Sequence, residues 1–131
     1  MKKLQQTYLV RADIEDVFAA LTEAHIMEEW TVSPVVMEPV AGGKFALWGG
    51  DIFGKNIEVL PNRIVQEWYA GDDWEMPSLV SMELFTAPEG TIIELDHRNI
   101  PDEAFDSISE CWEKYYLGQV QALFEEDEDE E

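Results

Sequence analysis

The side chains best equipped for chemistry in this chain are two histidines, His25 and His97, and one cysteine, Cys111. They are too scattered for a zinc site, which needs Cys and His grouped at short spacings. The double glycines Gly42-Gly43 and Gly49-Gly50 are not phosphate loops. No Lys-Ser or Lys-Thr follows them, and strands rather than a helix come next. They read instead as positive-φ turn residues. No Gly-x-Ser-x-Gly elbow is present. The run Glu125–Glu131 is seven consecutive acids. It has the charge for calcium but not the interspersed glycine and fixed geometry of a site. No catalytic residue, metal ligand or cofactor is assigned.

His97, between Asp96 and Arg98, is the most suggestive polar group. Strand neighbours point to opposite faces, so if Ile93 and Leu95 face inward, His97 does too. It then reads either as a general acid or donor at a cavity mouth or as a hydrogen-bonded core histidine, and the second is favoured. Cys111 lies beside the core-facing Trp112. Acidic surroundings would raise rather than lower its pKa, and it reads as a small, partly buried residue.

Aromatic residues carry more signal. Five tryptophans, Trp30, Trp48, Trp68, Trp74 and Trp112, stand in 131 residues. Parity puts Ile64, Gln66 and Trp68 on one strand face, and likewise Val80, Met82 and Leu84. Near the C-terminus, Phe105, Ile108, Trp112, Tyr115, Gln119, Ala122 and Leu123 recur at helical spacing. The candidate lining of an apolar site is therefore Trp30, Phe45, Trp68, Val80, Met82, Leu84, Ile93, Leu95, His97, Ile108, Trp112 and Tyr115. Two uses are open: an aromatic-lined cleft for a small apolar ligand, or plain core filling. Trp48 and Trp74 fall in or beside loops. There they mark a protein-contact patch or pack over the sheet ends.

The elements that position these residues follow from periodicity. Leu4–Arg11 reads as a strand. Asp13 is an N-cap for a short helix with Val17, Phe18 and Leu21 on one face. A kink near Thr22–Ala24 leads to a second helix over Glu23–Trp30. Strands then dominate: Val32–Met37, Lys44–Trp48, Asp51–Leu60, Arg63–Tyr69, and the hairpin Leu79–Thr86 with Thr91–Arg98. Pro101 and Asp102 open one long helix to Phe124. Short turns between strands imply an antiparallel meander, and only the last helix is large enough to cover its apolar face. This predicts an α+β fold, a curved antiparallel sheet of six to seven strands around a long C-terminal helix. One domain is expected over residues 1–124, with 125–131 a disordered acidic tail.

The bulk numbers agree. There are 29 acidic and 8 basic residues, a net charge of −21, which repels nucleic acid and anionic membranes. No stretch approaches the roughly 20 apolar residues of a membrane span. No secretory signal follows Lys2 and Lys3, and one cysteine allows no internal disulfide, so a cytoplasmic location is expected.

One string of residues adds a family. It runs Gly42-Gly43-Lys44-Phe45, Gly49-Gly50-Asp51-Ile52, Gly54, Val59-Leu60-Pro61-Asn62-Arg63-Ile64-Val65 and Trp68. It continues with Thr91, Leu95, Ile100-Pro101, Trp112, Tyr115, Tyr116 and Phe124. From about Leu4 to Phe124 the chain resembles the C-terminal domain of the activator of heat-shock-protein-90 ATPase, within the Bet v 1/START-like (helix-grip) superfamily. Cys111 stands where that family usually has glycine. The resemblance implies the order βααββββββα and, in many superfamily members, a cavity between sheet and helix. The expected function is a non-catalytic binding module for a small apolar ligand. The alternatives are a co-chaperone-type module acting on a heat-shock-90-type chaperone and, last for want of a convergent acid–base pair, a cyclase- or hydrolase-like enzyme.

Overall fold

The computed structural model describes residues 1–71 and 74–125. In chain order its elements are β1 (Lys2–Val10), α1 (Ile14–Thr22), α2 (Ala24–Thr31), β2 (Val35–Met37), β3 (Lys44–Leu47), β4 (Ile52–Leu60), β5 (Arg63–Tyr69), β6 (Ser78–Ala87), β7 (Gly90–Ile100), α3 (Phe105–Lys114) and α4 (Leu117–Leu123). The strands form one antiparallel sheet in the order β1-β7-β6-β5-β4-β3-β2. Strands β2 to β7 are a meander, and β1 closes its far side by pairing with β7. Among the described residues, no helix is long and apolar enough to cross a membrane.

Alternation fixes the sheet's two faces. Met82 lies opposite both Ile64 and Leu95, and Leu84 opposite Ile93. All of these are buried, while Leu79 and Phe85 on the opposite face of β6 are exposed. A one-residue slip would expel the whole apolar set, so burial locks the register. A bulge between Asn56 and Glu58 in β4 breaks this alternation: exposed Ile57 has no partner in β5, and Glu58 lies opposite Val65. Both sheet edges are blunted, as exposed edges otherwise invite pairing. Strand β2 has three residues between Pro34 and Pro39, and the Glu28 carboxylate accepts the Val35 N–H at 3.0 Å. Over β1, the Gln121 amide of α4 donates to the Leu9 carbonyl at 3.0 Å.

The first helical pair forms as expected, with the break at an extended Glu23. Asp13 occupies the N-cap position of α1 but makes no side-chain cap bond. The single helix expected up to Phe124 is instead two, α3 and α4. The N–H groups of Tyr115 and Tyr116 both reach the Cys111 carbonyl, at 2.8 and 3.0 Å, and Tyr116 leaves helical geometry at φ −109, ψ −96. The cause is packing. Tyr116 is fully buried among Trp30, Trp48, Trp68 and Trp112. A straight helix presenting Ile108 and Trp112 would turn Tyr115 inward instead. Beyond the break Leu117 and Val120 are the buried residues, not the predicted Gln119 and Ala122. Of the expected acidic tail, Glu125 closes the last turn on Ala122; the remainder, 126–131, lies outside the described residues.

Candidate functional site

The seam between sheet and helices gathers most of the predicted lining. Trp30, Phe45, Trp68, Val80, Met82, Leu84, Ile93, Leu95, Ile108 and Trp112 are all buried in one cluster, and His97 is buried against its Trp68 and Trp112 rings. Tyr115 is not among them: it is 59% exposed, and Tyr116 takes the inward place. The seam is occupied by its own rings. Trp68 stacks on Trp112 at 4.7 Å between centroids, Tyr116 lies 4.5 Å from Trp112, and Trp30 lies 4.9 Å from Tyr116. These are contact distances for aromatic pairs.

A continuous chain of buried hydrogen bonds crosses the seam. Trp112 Nε1–H donates to His97 Nδ1 at 3.0 Å, and His97 Nε2 meets Ser78 Oγ at 2.8 Å. Ser78 Oγ–H donates to the Trp68 carbonyl at 3.1 Å. With Nδ1 accepting, Nε2 carries the proton and donates to Ser78. Trp68 Nε1–H donates to Gln66 Oε1 at 3.0 Å, Gln66 Nε2 to Asn56 Oδ1 at 2.9 Å, and Asn56 Nδ2 to the Glu38 carbonyl at 2.8 Å. The register builds this row, since Asn56 pairs with Gln66, Gln66 with Val80, and Val80 with His97. Among the described residues, no buried side-chain nitrogen or oxygen lacks a partner. The chain satisfies every polar group that the rings would otherwise desolvate.

This arrangement leaves His97 no free nitrogen for a substrate proton. Burial pushes its pKa down to about 3, against a small opposing effect of Asp96. Burial likewise pushes the Cys111 thiol up to about 11. The acidic neighbourhood expected to raise it plays no part. Tyr8, which donates to Gln6, is pushed up to about 12 by burial first and by Glu113 and Cys111 after it. The far histidine, His25, is 76% exposed and stands 3.8 Å from Glu23. Among the described residues, no group of three Asp, Glu, His or Cys is placed to hold a metal ion.

Asn56 and Ser78 are the residues of the network that sequence reading passed over. Their signal was present: each is a small polar residue in a strand at an inward position. The double-glycine turn is part of the same construction. Gly42 N–H donates to the Asn56 carbonyl and Asn56 N–H to the Gly43 carbonyl, both at 2.7 Å. Gly42 has φ +87, as a turn glycine should. Gly43 is needed for a different reason: a Cβ there would stand 2.2 Å from the Glu38 carbonyl oxygen. Trp48 is half-buried over the seam's end, its Nε1–H on the Thr31 carbonyl at 3.1 Å. Trp74 is partly buried against the core.

Concavities open on the outer surface. One of about 620 Å³ lies on the sheet face away from the helices, lined by Gln5, Thr7, Arg63, Ser81, Glu83, Glu94, Asp96 and Arg98 among others. A neighbouring one of about 580 Å³ is lined by Ala41, Ile57, Glu58, Val59, Leu60, Arg63 and Val65. Neither is lined by Trp68, Trp112 or Tyr116.

Comparison with known proteins places this geometry. The family model described as Activator of Hsp90 ATPase homolog 1-like protein matches residues 11–125. The mouse activator of 90 kDa heat shock protein ATPase homolog 2 is 28% identical over 125 residues, covering 93% of this chain and 38% of its own length. The Dictyostelium discoideum activator homolog is 29% identical over 116 residues, covering 86% of this chain and 29% of its own. The chain thus spans only 29% to 38% of these curated relatives. A crystal structure of an HSP90 activator from Plasmodium falciparum superposes with a TM-score of 0.87 at 25% identity, covering 94% of this chain and 96% of that one.

Proposed function

The chain belongs to the activator of Hsp90 ATPase homolog 1-like family, and from that membership we propose that it is a co-chaperone-type interaction module acting on a heat-shock-90-type chaperone. The observation that carries this reading is the filled seam. Trp68, Trp112 and Tyr116 occupy the space between sheet and helices at ring-contact distances. Their polar atoms and those of His97 are engaged with one another. Opening that space for an apolar guest would part stacked rings and strand buried hydrogen bonds, at roughly 1–3 kcal/mol for each unpaired group. A module built this way acts through its outer surface, holds no cofactor and does no bond-making chemistry.

The net charge of −21 supports the same reading of partners. It disfavours nucleic acid and anionic lipid and suits a protein with basic surface. The place of action is then the cytoplasm, with the chaperone.

The test uses the source organism's chaperone. Purified chain, immobilised, should retain the chaperone, and added chain should raise its ATP turnover. Unchanged turnover at saturating concentration would overturn the proposal.

A further inference from the structure

The second concavity differs in kind from the first. Five of its seven lining residues are apolar: Ala41, Ile57, Val59, Leu60 and Val65. Ile57 and Leu60 are 44% and 43% exposed, and Val40 beside Ala41 is 60% exposed. A groove of about 580 Å³ is within the usual range of binding pockets.

The groove is also held in shape. One wall is the Val40–Gly43 loop, fixed to β4 by two backbone hydrogen bonds with Asn56 and by the Asn56 amide on the Glu38 carbonyl. Asn56 is in turn fixed by Gln66 and Trp68. The other wall is the β4 bulge, where exposed Ile57 has no cross-strand partner and Glu58 lies opposite Val65. Bulges re-aim side chains at functional places.

Charge selects the occupant. Arg63, at the groove's rim, is already shared between Glu58 and Glu83, so this trio is net negative. The rim continues through Arg63 and Val65 into the polar trough, where Glu94 and Asp96 outnumber Arg98. A second copy of a chain of charge −21 is repelled, and so is the chain's own Glu125–Glu131 run. We propose that this groove anchors a protein partner by taking an apolar side chain from a segment whose flanking residues are basic. The inference deepens the co-chaperone reading and rests on it for who the partner is, not for the chemistry of the groove.

Two measurements separate the two ideas. In the first, the full chain is titrated with a short peptide carrying two leucines flanked by lysines, followed by methyl NMR. Signals of Ile57, Val59, Leu60 and Val65 should shift. Ile57→Ser with Leu60→Ser should weaken binding at least about tenfold, while Phe85→Ser, an equally exposed apolar site on β6, should leave it unchanged. Both substituted sites are solvent-facing, so the melting temperature checks that the fold is kept. Unmoved signals at those four residues, with equal affinity in the double variant, would overturn the groove. In the second, the same variants are assayed with the chaperone. Loss of chaperone binding in the groove variant supports the inference. Binding that persists undiminished removes the groove and leaves the co-chaperone reading standing. No chaperone binding by the native chain, with peptide still seated at Ile57 and Leu60, removes the co-chaperone reading and leaves the groove.

Discussion

At the residue scale, His97 decides whether this core could do chemistry. Its two nitrogens are committed to Trp112 and Ser78, and burial holds its pKa near 3. Below its unfolded pKa of about 6.5, the unfolded chain takes up a proton that the folded chain refuses. The neutral ring's contribution to stability is therefore present above about pH 6.5 and lost as pH falls from there toward 3. At about 1.4 kcal/mol per pH unit, the loss is on the order of 2 kcal/mol by pH 5. The ring signals of His97 should stay fixed from pH 7 to 5 by NMR, with Nε2 protonated; a midpoint in that window would show that the relay opens. Val32 is the opposite case. It caps α2 in the left-handed region at φ +56, is 86% exposed, and is β-branched, which that region tolerates poorly. Val32→Gly should relieve about 1–2 kcal/mol of strain and lose about half of it to chain entropy. A rise in the urea midpoint at unchanged slope is expected; a fall would mean the valine packs on something.

At the scale of elements, the break between α3 and α4 is the feature that periodicity misread. Spacing from Ile108 and Trp112 points to Tyr115, because helical counting assumes that the helix continues. Packing chose Tyr116, whose ring meets four others, and the helix yielded. Gly118 permits the sharp restart, since a Cβ there would stand 1.7 Å from the Glu113 carbonyl oxygen. The two neighbouring tyrosines should therefore behave oppositely. Tyr116→Ala should cost about 3–5 kcal/mol, as large aromatic truncations in cores do. Tyr115→Ala should stay within about 0.5 kcal/mol, like other exposed sites. Equilibrium denaturation of both variants checks this, and equal losses would place Tyr115 inside. The strands, by contrast, were legible to within a few residues, because period-2 alternation in β6 and β7 leaves one reading of the faces. The bulge at Ile57 was not legible, since an extra residue shows only in the partner strand's register.

For the whole molecule, charge is segregated between layers. Among the described residues, helices α1 to α4 carry seven carboxylates and one base, Lys114, while the strands carry five carboxylates and six bases. Self-repulsion is concentrated on the helical side. Raising ionic strength from about 0.01 to 0.15 M shortens the screening length from about 30 to 8 Å, so the melting temperature should rise. A constant or falling value would mean that the strand-face ion pairs, such as Arg63 with Glu58 and Glu83, outweigh the repulsion. The helical side is therefore the broad acidic region, while the strands are near neutral and only the lining of the two outer concavities, four carboxylates against Arg63 and Arg98, is locally negative. Only the outer sheet face adds the apolar groove beside Ile57 and Leu60.

Sequence alone determined the α+β class, the βαα-then-strands order, the inward residues of β5 to β7 and the family, because alternation, turn glycines and tryptophan spacing are local or short-range signals. Tertiary structure decided the rest. Whether Trp68, Trp112 and their neighbours line a space or fill it depends on how far sheet and helices approach, and that distance is written in no single segment. The choice of Tyr116 over Tyr115, and the joining of Asn56, Gln66, Trp68, Ser78, His97 and Trp112 into one relay, likewise needed four strands and a helix brought within hydrogen-bonding reach.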